Sequence, residues 1–307
     1  MGRVKGGRRM LLVLTIILVT AALLLLLTAL LLAGITMTGR RQTMDEAMAW
    51  QSEHYDTSFY DACERETYTV TGAEGYELQV ELLKSPGSTR YMILSHGYTD
   101  TRAGSLKYAR FYLEMGFSCI VYDLRGHGEN APTPTTYGIL EAQDLDALIA
   151  DTHTRYPDLT GLGLHGESLG AATTVSVLRY RPDVAFAVAD CGFSDIENVL
   201  RGGFRSAHLP AALFDLADVG ARLRFGYALR DMRPIDALAE NDVPLLFLHG
   251  ADDTFILPQN SADMAAATRG AHELYLFEGA GHALSALTDP ERYAALLRAF
   301  TDQYGTG

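Results

Sequence analysis

The sequence predicts a three-layer α/β fold: a mostly parallel sheet with a leading antiparallel hairpin and a small helical cap, preceded by one N-terminal transmembrane helix. Three observations predict it. From residue 91 onward, short apolar runs alternate with helical stretches; one interval of about fifty residues breaks that rhythm; and Met10–Ala33 carries no charge. Continuous apolar strands, each followed by a helix, are what a parallel sheet covered on both faces requires. Right-handed crossovers then place helices on both of its faces.

Residues 1–9 hold Arg3, Lys5, Arg8 and Arg9 and no acid. The next stretch, 10–33 (MLLVLTIILVTAALLLLLTALLLA), contains nothing more polar than threonine. At about 1.5 Å per residue it reaches roughly 36 Å, enough to cross a bilayer with some tilt. A cleaved signal peptide has an apolar stretch of only about 7–15 residues and a small-residue cleavage site. Neither an A-x-A site nor a lipobox cysteine follows here, so an uncleaved signal anchor is expected. The basic residues ahead of the helix place the N-terminus in the cytoplasm and the rest outside. Residues 34–65 read as a juxtamembrane connector, with one helix expected to pack on the domain.

The domain occupies residues 66–307. ETYTV and YELQVELL flank a glycine-containing turn and read as the leading hairpin. YMILSHG is followed by a predicted helix over 106–115, FSCIVYD by one over 139–154, and GLGLHG by one over 171–180. VAFAVAD leads into the long irregular interval, VPLLFLHG into a helix over 261–268, and HELYLFEG into one over 290–303. Long insertions in compact domains are usually lids or binding loops, so residues 192–241 are a candidate cap. Its Leu209, Leu213, Phe214, Leu216, Phe225 and Tyr227 suit an acyl chain, although a helical cap must also bury such groups against its own domain, the expected use. Arg201, Arg205, Arg222, Arg224, Arg230 and Arg233 are expected to be solvated or paired. Bidentate recognition of a carboxylate or phosphate is the alternative.

Without residues 1–41 the chain keeps 19 Lys+Arg against 38 Asp+Glu, a net charge of −19 over 266 residues. Such a surface repels phosphate backbones, which excludes nucleic acid as a partner. Cys63, Cys119 and Cys191 lack metal-ligand spacing, and the latter two fall in apolar runs where a free cysteine acts as a small buried hydrophobe. A single bridge stays open, and oligomeric state is not legible.

The stretch TGLGLHGESLGAATTV carries two signatures that share Gly166. Gly161, Gly163 and Gly166 spell G-x-G-x-x-G, a dinucleotide-binding phrase that needs a strand just before its first glycine and an acid about 20 residues beyond. Asp190 supplies the acid, but RYPDLT before Gly161 reads as a loop. Gly166, Ser168 and Gly170 spell G-x-S-x-G, a nucleophile elbow, and this phrase has its strand in front (GLGLHG) and its helix behind (AATTVSVLRY). The serine reading is preferred.

A serine nucleophile needs a base and an orienting acid, in chain order Ser, Asp/Glu, His for this architecture. His96, His165 and His249 stand at strand ends and are as well explained as packed residues. His127 precedes the serine, and His54, His153, His208 and His272 lack a strand-end setting. His282, in the glycine-rich loop after the last strand, meets both order and position. For the acid, Asp252 and Asp253 follow the penultimate strand, with Asp190 and Asp195 as outsiders; a solvated or helix-capping carboxylate is the bland alternative for each.

The phrases LSHGYTD, VYDLRGHGEN, GLHGESLG, ADCGFSD, LFLHGADDTFILP and GAGHA stand here in order. In them the chain resembles the α/β-hydrolase superfamily over residues 66–303, most closely its serine-aminopeptidase-like and monoacylglycerol-lipase-like subgroup. The resemblance implies that the acid of the H-G-x-x-D phrase is Asp253, and that the backbone amides of Tyr98 and Leu169 form an oxyanion hole. Ser168, Asp253 and His282 would then be the triad of a membrane-anchored serine hydrolase acting on a carboxylic ester or related acyl bond. No metal and no cofactor is expected; the partners are a small acyl or peptide substrate and the membrane. An aminopeptidase-type amide hydrolase, or a non-catalytic tethered binding protein on the same fold, are the alternatives.

Overall fold

The computed structural model describes residues 2–305. Helix α1 (Gly2–Met37) comes first, and its Gly7–Met37 portion is long and apolar enough to cross a membrane by length and composition. The helix runs one turn beyond the apolar stretch, and its last part does not stand free. Ala29, Ala33 and Met37, spaced four apart on one helix face, are buried, while Leu11–Leu14 and Leu23–Leu27 are exposed. A short extended stretch leads to α2 (Met44–His54), which begins with a Thr43/Glu46 capping box and buries Ala47 and Gln51 on the domain. Then comes the single turn α3 (Ser58–Ala62).

The hairpin β1 (Arg65–Thr71) and β2 (Glu77–Leu83) opens the domain. Then follow β3 (Arg90–Ser95), α4 (Leu106–Glu114), β4 (Ser118–Tyr122), α5 (Leu140–Arg155), β5 (Gly161–Glu167), α6 (Leu169–Val177) and β6 (Phe186–Asp190). The long interval folds into α7 (Ile196–Ser206) and α8 (Leu213–Phe225) with two short 3₁₀ turns. The chain continues through β7 (Leu245–Gly250), α9 (Gln259–Ala267), β8 (His272–Phe277), α10 (Ser285–Thr288) and α11 (Pro290–Tyr304).

Among the described residues, eight strands form one sheet in the order β1-β2-β4-β3-β5-β6-β7-β8. β1 and β4 pair antiparallel with β2, and every other pairing is parallel. β4 to β7 are buried along their whole length, which is why they read as unbroken apolar runs. Alternate residues serve opposite faces: Ile93 and Ile120 join one core, Met92, Leu94, Cys119 and Val121 the other. This order brings the C-terminal ends of β3, β5, β7 and β8 to one edge, where open α/β sheets bind ligands. All three cysteines are free thiols, Cys119 and Cys191 buried.

Candidate active site

The turn between β5 and α6 is strained. Ser168 sits at φ 54°, ψ −111°, outside the regions an ordinary side chain prefers. The glycines two residues to either side have no room for side chains. A Cβ at Gly166 would stand 2.1 Å from the Gly170 carbonyl oxygen, and one at Gly170 would stand 2.0 Å from that of Ser95. The two glycines therefore let β3, β5 and α6 close around the serine, whose own amide donates to the Asp190 carbonyl at 2.8 Å. Gly161 and Gly163 lie inside β5, and a turn precedes them in place of the strand a dinucleotide fingerprint needs.

Beneath the turn, the Lys107 ammonium meets the Glu167 carboxylate, which also accepts from the Tyr108 hydroxyl at 2.5 Å. Both charges are buried. Removing one partner of a buried pair strands the other charge. Lys107→Met is therefore expected to cost about 3–5 kcal/mol of stability, read as a lowered denaturation midpoint. An unchanged midpoint would contradict this.

The loop after β8 carries His282 over the serine: its Nε2 lies 3.0 Å from Ser168 Oγ and its Nδ1 2.7 Å from Asp253 Oδ2. Asp253, from the loop after β7, is buried, and its Oδ1 accepts the Phe255 and Ile256 amides at 2.8 and 2.9 Å. Burial pushes this carboxyl up. Hydrogen bonds from His249 and His282, the His282 charge and the Ile256 amide outweigh burial and hold it well below the usual carboxylate range. Asp252 is exposed. By sequence His249 is as well explained as a packed residue; its Nε2 lies 3.3 Å from Asp253 Oδ2.

Asp195 caps α7 by accepting the Asn198 amide at 2.9 Å. Asp190 accepts the Tyr293 hydroxyl at 2.8 Å, and burial raises its carboxyl to about 6. A carboxyl raised above its unfolded value of about 3.9 contributes stability below that pH and loses it as pH rises through the folded value. Asp190→Asn is expected to gain on the wild type between about pH 4 and 6, read as a thermal-midpoint difference, variant minus wild type, that rises with pH over that range. A pH-independent difference would contradict it.

Other histidines serve the frame. His96 donates from Nδ1 to the Gly97 carbonyl at 2.8 Å and accepts the Leu124 amide at Nε2 at 2.9 Å, bracing the loop that carries Tyr98. His165 is buried against Tyr112, and desolvation lowers it to about 3. His127 packs edge-on to His96 and Tyr98. Among the described residues, the Tyr98 and Leu169 amides have no hydrogen-bond acceptor within the chain. The Leu169 amide opens α6, where helix geometry leaves N–H groups free and the dipole favours negative charge.

A cavity of about 420 Å³ opens in front of Ser168. Tyr98, Tyr137, Phe193, Ile196, Val199 and Phe255 supply much of its wall, so α7 and its approach are the cap's contribution. None of the six cap residues picked out for an acyl chain lines it: Phe214 is buried beneath Arg201 and Arg230, and Leu209 is exposed. The cap arginines lie outside the wall too, with Arg201 and Arg230 paired to Glu197 and Asp215, Arg222 to Asp231 and Arg233 to Asp236. Ile35 and Thr36 of α1 do line it, and nothing in their apolar context distinguishes them from a plain tether.

Comparison with known proteins gives three kinds of match. A family model described as "Alpha/beta hydrolase family" matches residues 92–296. The uncharacterized protein YqkD of Bacillus subtilis (strain 168) is 28% identical over 247 residues, 79% of this chain and 81% of its own length. Phospholipase ABHD3 of Homo sapiens is 31% identical over 120 residues, 36% of this chain and 29% of that protein. Among solved structures, the Pyrococcus furiosus esterase Pf2001 superposes with a TM-score of 0.68 at 22% identity, covering 80% of this chain and 92% of its own. At that identity the superposition speaks for the fold alone.

Proposed function

From the premise that the chain belongs to the alpha/beta hydrolase family, we propose that it is a membrane-anchored serine hydrolase cleaving a carboxylic ester. One observation carries the reading: an unbroken hydrogen-bond path from Asp253 through His282 to Ser168, on a strained turn that faces an apolar cavity. In this mechanism Ser168 Oγ bonds to the ester carbonyl carbon while its proton passes to His282 Nε2. Asp253 keeps the Nδ1 proton in place and stabilises the imidazolium. The oxyanion lies between the Tyr98 and Leu169 amides. As the carbon–oxygen bond to the alcohol breaks, His282 returns its proton to the leaving oxygen. Water then attacks the acyl-Ser168 carbonyl, gives a proton to His282, and releases the acid as that proton returns to Ser168 Oγ.

The cavity wall favours an ester over an aminopeptidase substrate. Among the described residues lining it there is no carboxylate to receive a peptide's ammonium group. The apolar span of α1 is the proposed anchor, with the N-terminus on the cytoplasmic side by its flanking charge. A panel of p-nitrophenyl esters of graded chain length beside aminoacyl-p-nitroanilides tests the reading. Turnover of esters with little or none of the anilides is expected. Preference for the anilides would transfer the site to peptides, and turnover of neither would favour a binding protein.

A further inference from the structure

We propose that the last two turns of α1 are a wall of the substrate site, and that the substrate is an ester whose acyl chain resides in the bilayer and reaches Ser168 along this helix. The inference rests on the hydrolase reading above and adds a substrate class to it.

The helix end is built into the domain. The last carbonyls of a helix lack partners within it and must find them elsewhere. Here the Tyr137 hydroxyl donates to the Thr36 carbonyl, and the Thr135 amide donates to that of Met37 at 2.8 Å. Arg41 reaches the Gly126 carbonyl and, at 2.8 Å, the Thr135 hydroxyl. The Gln42 amide donates to the Thr99 carbonyl at 2.7 Å, one residue from the proposed oxyanion amide. Higher on the helix, α8 lies against α1 so closely that a Cβ at Gly220 would stand 1.9 Å from the Ala29 carbonyl oxygen.

The cavity is thus bounded by the anchor itself. Ile35 and Phe255 both line it, and they are 63% and 60% exposed. An apolar lip of this kind is poorly placed in water and well placed against lipid. The length of α1 sets its level. Residues 10–28, ahead of the docked part, span about 28 Å, close to the roughly 30 Å of a hydrocarbon core. The α8 side chains Val219 and Leu223, four apart and exposed, flank Gly220, which packs on Ala29 just past that span. Ile35 stands about 10 Å beyond residue 28, within the headgroup layer, so an acyl chain drawn out of the core along this helix meets the cavity inside that layer.

The test uses the full chain in phosphatidylcholine nanodiscs, carrying Ile35→Cys in a Cys63→Ser background. Ser168 is phosphonylated with dodecyl or with ethyl fluorophosphonate, and maleimide modification at position 35 is timed. The dodecyl adduct is expected to slow modification about fivefold or more, the ethyl adduct hardly at all, since thiol reactivity follows access. Equal rates for the two adducts, or modification of Ser168 by the ethyl probe alone, overturn the inference and leave the hydrolase reading standing; failure of both probes to modify Ser168 takes down both. A second variant, Ile35→Trp, is expected to lower the ratio of kcat/KM for p-nitrophenyl laurate to that for the acetate about tenfold. An unmoved ratio contradicts the inference.

Discussion

Replacing Ser168 with alanine is expected to lower kcat on the best p-nitrophenyl ester by roughly 10⁵–10⁶, the scale on which a nucleophile acting as a unit with its base is lost. The loss is large because the serine hydroxyl is the proposed nucleophile, the group that would form the acyl bond. His282 Nε2 stands 3.0 Å from that hydroxyl. KM is expected to change far less, since the cavity wall is untouched. Stopped assays on membranes carrying equal amounts of each protein measure the ratio. Retention of more than about one per cent of wild-type kcat would remove Ser168 from the chemistry.

The second large effect belongs to the carboxylate. Asp253→Asn is expected to lower kcat on the order of 10⁴, because the amide accommodates the wrong tautomer of His282 and does not balance the imidazolium. Asp252→Asn is expected to stay near wild type, since Asp252 is exposed and Asp253 makes the 2.7 Å contact. The pair of variants is a matched control: adjacent residues, identical chemistry, opposite burial. Equal losses in both, or a larger loss in Asp252→Asn, would reassign the acid. Asp253 also accepts the Phe255 and Ile256 amides, so the asparagine variant's thermal midpoint belongs in the same experiment.

The sheet was legible because its central strands are buried on both faces, which leaves five- to seven-residue apolar runs without alternation. Helix limits fell within a few residues of those expected, the usual imprecision of helix ends. The strained turn at Ser168 was legible through its two glycines, whose positions admit no Cβ, and through the strand and helix flanking it. Choosing Asp253 over Asp252 took a resemblance; the physical distinction, burial beneath His282 and His249, appears only in three dimensions. The cap's place was visible as an overlong interval, but its cavity-facing residues were not. Phe193, Ile196 and Val199 look no different in sequence from Phe214, which turns into the cap's own packing. Least visible was the place of Ile35 and Thr36 in the cavity wall. Apolar residues at the end of a spanning helix have a sufficient explanation in the span itself, and only their place in the cavity wall and the Tyr137 bond to the Thr36 carbonyl give them a second one.

The central claim is that Ser168 is an activated nucleophile, and covalent capture tests it most directly. The full-length protein is treated with a fluorophosphonate, digested, and its modified peptide sequenced by mass spectrometry. The account predicts one phosphonyl adduct, on Ser168, absent from Ser168→Ala and greatly slowed in Asp253→Asn. An adduct on another residue, or none on intact folded protein, would contradict it.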